Sequence, residues 1–236
     1  MALLDIHSDT IVAHASETER AGFIRRTYLH LGGAILAFVA VESLLIQSGV
    51  AESFVHLLQG SKWMWLVVLG LFMVVSYVAD KWAHSAISKE MQYAGLGLFV
   101  VAEAIVFMPL IYIALSKAPD VLSHAVLLTL MLVAGITFTA FTTRKNFAFL
   151  GPILNIGGLI ALGVIVASIA FGFTLGLVFS GIMIVFAAAA VLYSTSNIIH
   201  EYHTEQHVAA SLSLFSSVGL LFWYILQFLM SLGSDD

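Results

Sequence analysis

Seven stretches of the chain are almost unbroken apolar runs: Phe23–Gln47, Trp63–Asp80, Met91–Leu115, Val121–Thr143, Phe147–Phe171, Thr174–Ile199 and Val208–Leu232. A helix needs about 20 apolar residues to cross a hydrocarbon layer of roughly 30 Å, and inside lipid each backbone N–H and C=O must be satisfied within the segment itself. The pattern predicts an all-α polytopic membrane protein, a seven-helix bundle. The polar gaps are short, which predicts that successive helices pack as antiparallel neighbours. Only Ser48–Lys62 has room for a small interfacial turn. The chain divides into an amino-terminal tail, residues 1–22, and a membrane domain, residues 23–236.

The gaps alternate in charge. Arg20, Arg25 and Arg26 precede the first run, Lys81 and Lys89 lie between the second and third, and Arg144 and Lys145 between the fourth and fifth. The opposite side holds Lys62 and Lys117 alone. Lysine and arginine near span ends stay in the cytoplasm, so the amino terminus is expected there and, after seven spans, the carboxyl terminus outside. Met1 to Glu19 carries Asp5, Asp9, Glu17 and Glu19 and has no apolar core, so it does not read as a cleaved signal peptide and the first span is expected to insert by itself.

Composition agrees with lipid as the solvent. Of 236 residues, 61% are hydrophobic and 10% charged, against about 25% charged in a soluble domain. The absence of cysteine excludes disulfides and thiolate metal sites. No basic cluster interleaved with aromatics suggests nucleic acid, and no serine, histidine and acid spacing suggests nucleophilic catalysis. Neither an enzymatic activity nor a cofactor is expected.

Few polar residues lie inside the runs. Glu103 sits mid-span in Phe99-Val-Val-Ala-Glu-Ala-Ile-Val-Phe107, where a charge costs roughly 2.5–3.5 kcal/mol, so it must face the protein interior or a wet cavity. It reads either as a titrating element for proton or cation passage or as a protonated acid hydrogen-bonding between helices. Pro109 removes a backbone donor nearby and predicts a bend. Glu42 lies about five residues from the outer end of its span and is expected to reach the interface. His30 and His124 are lone histidines, expected to be satisfied by backbone carbonyls. His200, His203 and His207 would share one face of a continuous helix and could hold zinc, but they link two spans, and a hydrated turn is the stronger expectation.

Several segments together resemble the Bax inhibitor family, or transmembrane Bax inhibitor motif family, and its YccA-type bacterial branch. They are Arg26-Thr-Tyr-Leu-His-Leu31, Thr142-Thr-Arg-Lys-Asn-Phe-Ala-Phe-Leu-Gly151, Tyr193-Ser-Thr-Ser-Asn-Ile-Ile-His200 and Ala210-Ser-Leu-Ser-Leu-Phe215. The resemblance implies six helices around a more central seventh. Some members are pH-sensitive calcium leak channels gated by paired aspartates on the sixth and seventh helices; matching places these at Ser194 and Ser217. A hydroxyl pair neither titrates near neutral pH nor attracts a divalent cation electrostatically, which puts that mechanism in doubt here. The YccA-type branch is similar in lacking the complete pair, and its members are substrates and modulators of the membrane-anchored ATP-dependent protease FtsH, which grips a cytoplasmic amino-terminal tail. The leading expectation is therefore a stress-linked inner-membrane protein acting through protein partners such as FtsH. The competing one is a calcium, cation or proton leak in which Glu103 titrates, Ser194, Asn197 and Ser217 line the path, and Glu42 is a second acid.

Overall fold

The computed structural model describes residues 10–85 and 88–233. Met1 to Asp9 of the tail and the terminal Asp236 lie outside the described residues. Among the described residues eight α-helices follow a short 3-10 turn at Val12–His14: α1 (Glu17–Gln47), α2 (Val50–Gly60), α3 (Lys62–Ala83), α4 (Lys89–Lys117), α5 (Pro119–Thr143), α6 (Leu150–Phe171), α7 (Gly176–His200) and α8 (His207–Leu232). All but α2 are long and apolar enough to cross a membrane. The ends of α1 start, α3, α5 and α7 define one face, called here the amino-terminal face; the links after α1, α4 and α6 lie on the far face.

The outer surface shows which solvent the bundle expects. Leu36, Phe138, Phe171 and Val178 are each more than 70% exposed, an arrangement water would penalise and acyl chains accept. The interior belongs mainly to α4 and α8. The expected central seventh span is α8, which packs on α1, α3, α4, α5 and α7, and α4 is buried to a similar extent. Sequential packing holds for α3 with α4, α4 with α5, α6 with α7 and α7 with α8; the exception among the short links is α5 with α6, since α5 packs on α4, α7 and α8, and α6 on α7 and α3. Short links therefore bring most successive spans together, and the α5–α6 link is the one that does not.

Two boundaries differ from the hydropathy reading. Helix α1 begins at Glu17, ahead of the apolar run, because Ser16 and Glu19 form a capping box: Glu19 N–H donates to Ser16 Oγ at 3.3 Å and Ser16 N–H to Glu19 Oε2 at 3.1 Å. The segment expected to be a small turn at Ser48–Lys62 contains a full helix, α2, entered through Gly49 at φ 78°, a left-handed conformation that glycine adopts without steric cost. Helix α4 runs through Pro109 as one continuous element.

The described part of the tail is bound to the fold. From residue 10 onward it docks on the α7–α8 link: Val12 N–H donates to Tyr202 O at 2.9 Å, Thr204 N–H to Thr10 O at 3.2 Å, and Ile11 pairs with His203 as an antiparallel bridge. Val12 is fully buried. The Arg20 guanidinium ties the segment to α1 by donating to the carbonyls of Val12, Ala13 and Ala15.

Candidate functional site

Two features converge in the membrane interior, on opposite sides of α8. The first is acidic. Glu103 is 4% exposed, and its carboxyl lies against Gly219 of α8, where no side chain is present to displace it. Glu103 Oε2 has no hydrogen-bond partner among the described residues. On either side of this contact is a cavity. One, of about 340 Å³, lies between α1, α4, α5 and α8 and is lined by Glu103, Glu42, Phe38, Thr129 and Val218 among others. The other, of about 330 Å³, lies between α3, α4, α6, α7 and α8 and includes Ser168, Ser216, Tyr224 and Gln227. Glu103 and Phe107, one turn apart on α4, line both.

Both cavities extend from Glu103 toward the far face, because their outermost lining residues, Ile46, Leu115 and Leu122 in one and Leu175 and Gln227 in the other, belong to far-face helix ends. The amino-terminal half is closed. Phe215 meets Phe99 and Phe38 at ring separations of 6.1 Å each, and Phe99 meets Phe72 at 6.0 Å, so an aromatic layer lies beneath the acid.

Glu42 corrects the expectation from its position in the span. It does not reach the interface: it is 4% exposed, lines the same cavity as Glu103, and neither carboxyl oxygen has a hydrogen-bond partner among the described residues. Helix α1 turns this face inward against α4 and α8, and a glutamate side chain is too short to climb out along it. Distance from a span end, which sequence supplies, was a poor substitute for helix rotation, which it does not.

The second feature is the serine pair. Ser194 Oγ and Ser217 Oγ lie 2.8 Å apart, and Ser194 Oγ is 3.1 Å from Ser213 Oγ. Ser217 Oγ–H also reaches Ser213 O at 2.9 Å. The two positions matched to paired acids are thus joined directly, with hydroxyls as the bonding groups. Asn197, one turn from Ser194 toward the amino-terminal face, buries an Oδ1 with no partner among the described residues. The serines and Glu103 do not form one cluster. Ser217 and Gly219 are two residues apart, about 200° around a helix, so one faces α7 and the other α4.

At the amino-terminal face the most specific sequence segments meet. Phe147 N–H, in the α5–α6 link, donates to Ser196 Oγ of α7 at 2.9 Å, and Gly151 lies against the Tyr193 ring. Ser196 is fully buried. Ser196→Ala removes the acceptor and leaves that N–H unsatisfied, and it is expected to destabilise the bundle by about 1–3 kcal/mol, read as a lower Tm of purified protein in detergent.

The histidines do not converge. His200 Nδ1–H donates to Ser196 O at 3.0 Å, His203 Nδ1 lies 3.3 Å from Gln206 Oε1, and His207 packs beside His30 at a ring separation of 5.0 Å. The link between α7 and α8 is a turn rather than a helix, which breaks the common face, and no group of three metal-ligating side chains occurs among the described residues. His30 is satisfied by a backbone carbonyl as expected, donating to Arg26 O at 2.7 Å, with Tyr93 Oη 3.2 Å from its other nitrogen. His84, past the end of α3, contacts Asp80 at 3.3 Å and stacks on Tyr202. The hydrogen bond to the Asp80 side chain raises its pKa above the ordinary histidine value, against the opposing effect of burial.

Seven spans, a buried inter-helical acid between two cavities and a hydrogen-bonded polar pair on the last two helices define an integral membrane protein with a few polar groups inside an apolar core. Residues 20–234 match the family described as Inhibitor of apoptosis-promoting Bax1, and the chain belongs to the Bax inhibitor family. It is similar to LIFEGUARD 4 of Arabidopsis thaliana, 27% identical over 215 residues that cover 88% of this chain and 83% of the plant protein. It is 32% identical over 126 residues to an uncharacterized protein of Pseudomonas aeruginosa, a match spanning 53% of this chain and 56% of that one. A shorter match, 37% identical over 89 residues, is to the modulator of FtsH protease YccA of Escherichia coli K12, covering 37% and 40% of the two chains.

Proposed function

We propose that this protein is a gated passage for protons or small cations in a bacterial inner membrane, oriented with its amino terminus in the cytoplasm and its carboxyl terminus outside. One observation carries the reading. Glu103, a mid-span buried acid, stands where two cavities adjoin, with a glycine opposite so that no side chain displaces its carboxyl. An ionisable group at that depth costs several kcal/mol unless it has a task or a partner, and among the described residues Oε2 has no partner. In this reading the aromatic layer around Phe215 and the docked segment from Thr10 to Ser16 close the passage on its cytoplasmic side. The serine pair on the other side of α8 joins α7 to α8 and keeps the two helices together as the gate moves. In this reading the protein performs no covalent chemistry.

The test is flux into liposomes loaded with a pH or calcium indicator. Reconstituted protein should pass one of these ions faster than protein-free vesicles do. Equal rates in the two preparations remove the reading.

A second reading, a stress-linked modulator of an FtsH-like protease, is favoured by the similarity to the Escherichia coli modulator of FtsH protease. In this reading the handle for a protease motor is the amino-terminal tail. Removing residues 1–9 should slow degradation by reconstituted FtsH several-fold. Unchanged degradation would count against it.

A further inference from the structure

The cavity between α1, α4, α5 and α8 has a shape and a chemistry of its own. Helices α4 and α8 form its back wall, and α1 and α5, each packed on those two, form its sides. Its rim includes Val39 and Ser43 on α1 and Val126 and Leu130 on α5, and all four side chains are exposed on the lipid-facing surface. The cleft therefore opens sideways, between α1 and α5, into the bilayer rather than into water.

Its interior is apolar apart from Thr129, whose hydroxyl is already committed to Ala125 O at 2.7 Å, and the two acids. Glu42 and Glu103 are each 4% exposed, on different helices, and both oxygens of Glu42 and Oε2 of Glu103 are buried without a partner among the described residues. A buried carboxyl without a partner is costly, so a ligand that brings hydrogen-bond donors and positive charge to this spot gains what the protein alone does not. The rest of the ligand must be a hydrocarbon, since that is what the walls offer and what can arrive through the bilayer. A volume of 340 Å³ accommodates about eleven waters' worth of space at ~30 Å³ each, the size of a short alkyl amine rather than a whole phospholipid.

We propose that this lateral cleft binds a lipophilic amine, with its ammonium held between Glu42 and Glu103 and its hydrocarbon body lying between α1 and α5. The site shares with the proposed passage the premise that Glu103 faces this cavity, but binding is a separate event from conduction. An amine seated there covers Glu103, so it would also block a passage that uses that carboxyl.

The test uses purified full-length protein in nanodiscs and two probes of equal length, decylamine and decanol, with binding read by native mass spectrometry and by the shift in Tm. Decylamine should bind at least about tenfold more tightly than decanol, a difference that one charge-assisted contact supplies. Glu42→Gln, which leaves Glu103 alone to meet the ammonium, should cut that preference several-fold. Val126→Trp, at the exposed rim, fills the opening without touching either acid and should weaken both probes; it keeps the proposal testable if the glutamine variant does not fold. Equal binding of amine and alcohol by the wild type, or tight amine binding that survives Val126→Trp, overturns the proposal. Flux in liposomes is measured without amine, so a protein that binds decylamine and conducts nothing refutes the passage and leaves this site standing.

Discussion

Replacing Glu103 with glutamine is expected to cut ion flux through reconstituted protein by about tenfold or more while leaving the fold intact. Glutamine preserves the volume and most of the hydrogen-bonding shape of the side chain, so the contact with Gly219 and the walls of both cavities survive. What is lost is the ability to take up and release a proton or to attract a cation. Because the wild-type carboxyl is buried against glycine with an unsatisfied oxygen, the amide should be as stable as the acid or more so. Flux loss with an unchanged or raised Tm is thus the signature of a working group. A second substitution approaches the same carboxyl from the opposite helix. A Cβ at position 219 would fall on the Glu103 carboxyl, which is the movable end of a flexible side chain, so Gly219→Ala should push the acid into one cavity and lower flux without a large stability cost. If both variants conduct as the wild type does, Glu103 has no part in passage.

The spans were legible because lipid imposes a length and a composition on every helix that crosses it, and six of the seven apolar runs became helices within three residues of the expected ends, while α1 starts six residues earlier than expected. The capping box at Ser16 and Glu19 was also present in the sequence, as Ser-Glu-Thr-Glu, and would have moved the start of α1 to the right place. Rotation of a helix about its axis was not legible. In an apolar run all faces look alike, so nothing marked the Glu42 face as inward or set Glu103 opposite Gly219, a contact between residues far apart in the chain. The same limit separated residues that the chemistry had grouped: Glu103, Ser194 and Ser217 are all buried, but the acid meets α8 at Gly219 and the serines meet on its α7 side. The resemblance pointed to two positions that the structure joins by a hydrogen bond, because a family pattern carries information about pairing that periodicity does not.

Gly95→Ala is expected to be the most disruptive single-methyl change in the bundle, and Gly97→Ala in the same helix to be nearly silent. A Cβ at position 95 would lie 2.5 Å from Ala79 O, 2.6 Å from Ala83 N and 3.0 Å from Trp82 Cβ. Two of those atoms are α3 backbone and cannot rotate away, so α3 and α4 must separate, and close approach through small residues is what holds helices together where no hydrophobic gradient exists. The expected cost is about 1–3 kcal/mol, seen as a lower Tm in detergent. At Gly97 nothing lies within 4 Å, and alanine there should be neutral or stabilising by up to about 1 kcal/mol through helix propensity. Equal effects at the two positions would show that the α3–α4 contact is not as close as described. The consequence extends to the acid. Glu103 lies eight residues along α4 from Gly95, about 12 Å at the helical rise, so an α4 displaced from α3 carries the carboxyl away from its seat on Gly219. Gly95→Ala should therefore lower flux along with stability, whereas Glu103→Gln lowers flux alone, and that difference separates the scaffold that positions the acid from the acid itself.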